Sequence, residues 1–199
     1  ERVIWRYDPI LTNETYNTDF HKTTFFKIAT QLKNHTEKCM ISFIDYYKHI
    51  RPSLSSQNIH PLTLEEIREM AYSFRQSISS TSIQLNTCTR KVDLSAMGIP
   101  AGMCIDRELI ERLTGYPISP QKDKNQRDVC RCIESIDIGT YDTCFNGCLY
   151  CYANTAEHKP LRNLQKHTPT SPKLIGQVND DDIIKDRAMY SLRCDPTLF

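Results

Sequence analysis

A chain of 199 residues, 39% of them hydrophobic, carries enough apolar side chains for one sizeable core and a small appendage. Lys and Arg number 25 and Asp and Glu 24, a formal net charge of +1, so charge gives no argument for a polyanionic partner. No apolar run approaches the ~20 residues that cross a bilayer, and no membrane partner is expected.

In chain order, residues 2–7 of "RVIWRYDP" read as a strand. The sequence opens at Glu1 inside this run and without Met, so a further segment is expected upstream. Residues 18–33 read as a helix with Phe25, Ile28, Ala29 and Leu32 on one stripe. Residues 39–45, "CMISFID", read as a buried strand. Thr63 and Glu66 form a T-x-x-E capping box before a helix expected to bury Leu64, Ile67, Met70, Ala71, Phe74 and Ile78. Residues 82–88, "SIQLNTC", read as a third strand. Strands alternating with helices run parallel through right-handed crossovers. The expected fold class is therefore α/β, a partial (β/α) barrel-like parallel sheet over residues 1–115. A cysteine-rich cluster-binding segment with a C-terminal helix is expected over residues 116–199.

The strands end in polar groups: Arg6 and Asp8, then Asp45, then Thr87 and Cys88. Ligands of parallel sheets and barrels sit at that carboxyl edge, although polar residues also cap strand ends toward solvent. Beyond residue 90 a short helix, 106–114, ends at Gly115. The mixed-charge run Lys122–Arg127 reads as a solvated loop, or as cations beside thiolates or an anionic substrate. Residues 133–138 alternate weakly, like a strand. Residues 159–176, with Pro160, Pro169 and Pro172, read as irregular. A last helix, 182–192, is expected to bury Ile184, Ala188 and Leu192.

Nine cysteines is an odd number, and five lie between Cys130 and Cys151. The first ninety residues can build a core without disulfides, which favours a reducing, cytoplasmic setting over secretion. The sequons at Asn13 and Asn34 lean mildly the other way. Cys39 reads as core and Cys194 as tail, and the six histidines show no ligand spacing.

"TCFNGCLYCYAN" places Cys144, Cys148 and Cys151 in C-x-x-x-C-x-x-C spacing. Three thiolates can hold a four-iron four-sulfur cluster and leave one iron without a protein ligand. That iron can chelate the amine and carboxylate of S-adenosylmethionine, whose carbon–sulfur bond an electron then breaks to give a carbon radical. Gly147 permits the tight turn, and Tyr150 offers a ring to adenine. Two other readings stand. Zinc takes four closed ligands, which Cys148 and Cys151 with Cys130 and Cys132 can supply. Cys148 and Cys151 can also form a redox couple. Cys88, Cys104, Cys130 and Cys132 form a candidate second site for another iron–sulfur cluster or zinc, unless Cys88 and Cys104 are small buried hydrophobes.

The blocks "RVIWRYDPI", "ISFID", "CIDRELIERLTG", "KDKNQR" and "CRCIESIDIGTYDTCFNGCLYCYAN" together resemble an uncharacterised prokaryotic family, the domain of unknown function numbered eighteen forty-eight. The resemblance runs from Glu1 to about Leu192. The family looks like a radical S-adenosylmethionine relative with its cluster motif near the C-terminus. It implies Cys144, Cys148 and Cys151 as cluster ligands, and Cys88, Cys104, Cys130 and Cys132 match its other cysteine positions. It also implies an N-terminal barrel portion with a "SRRTD"-like start, absent from this sequence and expected from upstream or from a separate chain. The ending "YCYAN" is similar to that of spore-photoproduct-lyase-like enzymes and hints at a nucleic acid substrate. The expectation is a cytoplasmic iron–sulfur protein that binds S-adenosylmethionine and draws electrons from a flavodoxin or ferredoxin. Tyr150 would stack near adenine, and Arg6, Asp8 and Asp45 would line the pocket. The alternative is a non-enzymatic α/β module with structural zinc.

Overall fold

The computed structural model describes residues 3–88 and 92–194. Its contacts form two units. One comprises the described residues of Glu1–Asp45, Gln57–Ser135 and Leu192–Phe199, the other Tyr46–Ser56 and Ile136–Ser191.

The first unit is built on three parallel strands, β1 (Trp5–Ile10), β2 (Lys38–Phe43) and β3 (Gln84–Thr87), in the order β1-β2-β3. Helix α1 (Thr18–Leu32) lies between β1 and β2 in the chain; α3 (Leu64–Ser77) precedes β3. Asn17 caps α1 by accepting from the Phe20 N–H at 2.9 Å. The Thr63–Glu66 box at α3 is formed in both directions.

Because side chains alternate along a strand, the sheet has two chemically different faces. Trp5, Cys39, Ile41 and Leu85 join Phe25 and Ala29 of α1 and Ile67, Met70, Ala71 and Phe74 of α3 in one buried cluster. Phe25 lies at its centre, stacked on Phe74 at 4.1 Å and on Trp5 at 4.6 Å, with Tyr7 edge-on at 5.3 Å. The opposite face carries Arg6 and Asp8, then Lys38, Met40 and Ser42, then Gln84 and Asn86.

β1 runs further than the expected 2–7, through a cis Asp8–Pro9 bond to Ile10, whose carbonyl accepts from Ile44 N–H at 2.9 Å. Residues 1 and 2, where the expected strand and the opening of the chain fall, lie outside the described residues. Leu64, expected in the core, is 45% exposed because it is the first helical residue beyond the Thr63 cap. The sequence over 133–138 makes one antiparallel bridge, Lys122 to Ile133, and no strand, and Ile138 stands exposed.

The helix expected over 182–192 is not formed. Of the residues expected to be buried, Ile184 and Ala188 are exposed and Leu192 is half-buried, so no described residue covers Ile184 or Ala188. At its end Leu192 and Cys194 are drawn out by pairing with Ser119 and Pro117. The second unit instead contains α2 (Arg51–Ser56) and α5 (Lys159–Leu164), both in stretches the sequence suggested were irregular or left unassigned. Helix α4 (Arg107–Thr114) ends at Gly115 in the left-handed region, as expected. Among the described residues no helix is long and apolar enough to cross a membrane.

Candidate thiol sites

The polar face of the sheet is where the chain gathers chemistry. The segment after β3 turns back over it. Thr87 N–H donates to Pro100 at 3.0 Å and Gly102 N–H returns to Thr87 at 2.9 Å. Gly102 passes so close that a Cβ there would stand 2.8 Å from Asn86 Cβ and 2.9 Å from Met40 Sδ. Two residues beyond Cys104, Asp106 caps α4 by accepting from Glu108 and Leu109 N–H, and its other oxygen takes Lys38 Nζ of β2 at 2.6 Å. Burial disfavours the Asp106 charge, yet the Lys38 hydrogen bond and charge outweigh it and hold the carboxyl below its usual range. Cys104 is thereby pinned over the sheet.

A second strip brings in Cys130 and Cys132. Asp123 N–H donates to Cys132 at 3.2 Å and Glu134 N–H to Gln121 at 2.8 Å, a short antiparallel clasp around the 124–131 loop. Buried Asp123 holds the loop inside, accepting from Asn125 N–H at 2.8 Å. Arg127 ties the loop to the sheet edge through Asp45 at 2.6 Å.

These supports bring the segments of four cysteines together. Cys88 and Cys104 Sγ stand 3.1 Å apart. Cys132 Sγ accepts from Cys104 N–H at 3.2 Å and Ile105 N–H at 3.4 Å. Cys130, two residues earlier, is buried with it. Arg6, from β1, donates to Cys104 Sγ at 3.1 Å and to Asp8 at 2.6 Å, and Asp8 also takes the Ser42 hydroxyl.

The Cys88 hydrogen bond first, and Arg6 after it, hold the Cys104 thiol down to about 5 against the opposing effect of burial. The same pairing pushes Cys88 up. Burial pushes Cys132 up against its two backbone donors. Burial also works against the Arg6 charge, but the bonds to Cys104 and Asp8 win and its pKa rises. Cys104 is thus the thiol that gives up its proton most readily, between the Cys88 thiol and a guanidinium.

The second unit carries the cysteine loop. Its ends are pinned together at Asp142, whose N–H donates to Ala153 at 2.9 Å and whose carboxylate accepts from Thr155 N–H at 2.5 Å and from its hydroxyl. The Thr155 backbone bond is the main reason Asp142 is held below the usual carboxylate range. Asn163 Nδ2 donates to the Asp142 carbonyl at 3.0 Å and Asn154 Nδ2 to the Cys144 carbonyl at 2.7 Å. Within the closed loop Gly147 has φ +64, where a Cβ would be strained, and Cys151 N–H folds back on Cys148 at 3.0 Å. Cys144 and Cys148 are exposed and Cys151 half-buried; all nine cysteines are free thiols. Tyr150 is 38% exposed, and the neighbouring Tyr152 ring lies 5.7 Å from Tyr47.

Among the described residues no group of three or more His, Cys, Asp or Glu side chains already surrounds a point as a metal shell does. Thiols are the donors thiophilic metals take, and the chain presents them in two places: Cys144, Cys148 and Cys151 in the closed loop, and Cys88, Cys104, Cys130 and Cys132 near Arg6. Arg6, Asp8 and Cys104 share the polar face with Ser42, while Tyr150 belongs to the other unit. Lys38, Gly102, Asp106 and Asp142, which do much of the positioning, were not singled out from sequence. Only the Asp106 cap, immediately ahead of a helix, leaves a local signal there.

A family model described as "Domain of unknown function (DUF1848)" matches residues 1–153, a span that includes the strands, the four thiols and the cysteine loop. No curated protein and no solved structure matches the chain.

Proposed function

We propose, for a chain that belongs to the family described as "Domain of unknown function (DUF1848)", that the Cys144–Cys151 loop holds a four-iron four-sulfur cluster and presents it to S-adenosylmethionine. The observation that carries this reading is the C-x-x-x-C-x-x-C spacing in a loop whose ends are tied at Asp142. When bound, such a cluster supplies the electron that breaks a carbon–sulfur bond of S-adenosylmethionine. The chain's own part is to hold and orient. Cys144, Cys148 and Cys151 are the ligands, Gly147 makes the turn between them, and Tyr150 lends a face to adenine.

The three-stranded sheet then corresponds to part of a (β/α) barrel, helices on one face and the interior on the other. Arg6, Asp8 and Asp45 are the polar groups a substrate would meet there. Flavodoxin or ferredoxin is the electron donor this chemistry calls for, and the cytoplasm the compartment.

The test is S-adenosylmethionine cleavage by protein reconstituted without oxygen and reduced with dithionite. Release of 5′-deoxyadenosine is expected. Tyr150→Ala is expected to weaken S-adenosylmethionine binding about tenfold, on the order of 1.4 kcal/mol, with iron content unchanged. An iron-loaded protein whose reduced-cluster paramagnetic resonance ignores added S-adenosylmethionine, and which releases no product, would overturn the assignment.

A further inference from the structure

We propose that Cys88, Cys104, Cys130 and Cys132 bind a single zinc ion as a tetrathiolate, in a site separate from the cysteine loop. This does not rest on the radical reading.

Three chain segments that have no local reason to meet converge here: the end of β3, the turn before α4 and the clasp after Asp123. Cys88 and Cys104 Sγ stand 3.1 Å apart, Cys132 Sγ lies 3.2 Å from the Cys104 backbone nitrogen, and Cys130 is buried two residues before it. Thiols are weak donors and weak acceptors, so their contacts recover little of what it costs to bury Cys130 and Cys132 beside Cys88 and Cys104. A cation that replaces those protons turns the same convergence into a stabilising one, since ligand thiols are deprotonated on binding.

The details suit one ion better than a cluster. With Zn–S about 2.3 Å, sulfurs on one tetrahedral zinc stand about 3.8 Å apart. The 3.1 Å between Cys88 and Cys104 opens to that edge with a further separation of about 0.7 Å, whereas a cubane spreads its ligands over separate irons. Cys132 Sγ already accepts two backbone N–H groups, and that stabilises the charged form of a ligating sulfur. Four thiolates on a divalent ion leave a net charge of about −2. Arg6, which donates to Cys104, offsets part of it from the polar face of the sheet. Such a site staples α4 and the 121–134 clasp onto the strand ends.

The experiment uses the full chain carrying Cys144→Ser, Cys148→Ser and Cys151→Ser, which removes the loop ligands. Purified without oxygen and supplied with zinc, it is expected to retain about one zinc per chain. Cobalt(II) in place of zinc is expected to give sulfur-to-metal charge-transfer absorbance. Adding Cys88→Ser and Cys104→Ser is expected to abolish both. If that variant fails to fold, alkylation of the wild-type chain decides. Zinc is then expected to protect Cys88, Cys104, Cys130 and Cys132 while Cys194 still labels. The proposal is overturned by a loop-free chain that holds no metal, by one that holds about four irons with sulfide instead, or by a Cys88–Cys104 disulfide in chain prepared without oxygen. Each of these outcomes leaves the iron content of the cysteine loop to be decided separately.

Discussion

His21 shows how one buried side chain ties this fold to pH. It sits at 6% exposure on α1, with Nε2 2.7 Å from the Leu11 carbonyl and Nδ1 2.8 Å from the Tyr7 hydroxyl. A carbonyl can only accept, so Nε2 carries the proton and Nδ1 accepts from Tyr7. Burial lowers the His21 pKa, although the bond to Leu11 opposes it, and burial raises Tyr7 to about 12. The unfolded chain therefore binds a proton more readily than the folded one. Stability from this group is fully present above about pH 6.5, falls as pH drops below that, and is gone once pH passes the lower folded value. Urea midpoints should fall between pH 7 and 5.5 in the wild type, and His21→Gln should flatten that slope. An unchanged slope would place the pH dependence elsewhere. None of this was legible in sequence, where the histidines show only a lack of ligand spacing; only the fold brings Tyr7 and Leu11 to the two nitrogens of His21.

The elements divide by whether their cause is local or tertiary. The Thr63–Glu66 box could be read directly, because every atom it needs lies within four residues, and it is formed. Thr63→Ala should cost about 1 kcal/mol of unfolding free energy, measured by denaturant titration. A change within a few tenths would mean that packing alone holds α3. The Phe25–Ala29 stripe and the ending at Gly115 were legible for the same reason. The 182–192 stretch has an acidic start and apolar residues at helical spacing, yet a short helix needs a partner surface, and Ile184 is 77% exposed. The converse error occurred at α5. Pro160 was read as a breaker, but it falls in the first turn, where a missing N–H costs nothing. α2 has poor local propensity, and buried Ile50 and Leu54, four apart, mark its inner side.

For the whole molecule, the order β-α-β-α-β foretold a parallel sheet, and three parallel strands in chain order follow it; the described residues do not show a barrel. The gathering of Cys88, Cys104, Cys130 and Cys132 could be suggested from composition but not demonstrated. Their meeting depends on Gly102 crossing the sheet, Lys38 holding Asp106, and the pairing of 121–123 with 132–134. The two units interleave along the chain, with 46–56 and 136–191 together, and no shift in composition marks such a boundary. The central claim concerns the cysteine loop, and one measurement reaches it most directly. Iron and acid-labile sulfide are counted after oxygen-free reconstitution of the chain carrying Cys88→Ser and Cys104→Ser, in which the loop keeps all three of its thiols. The account predicts a brown protein with about four irons and four sulfides per chain. A colourless, folded chain without iron would contradict it.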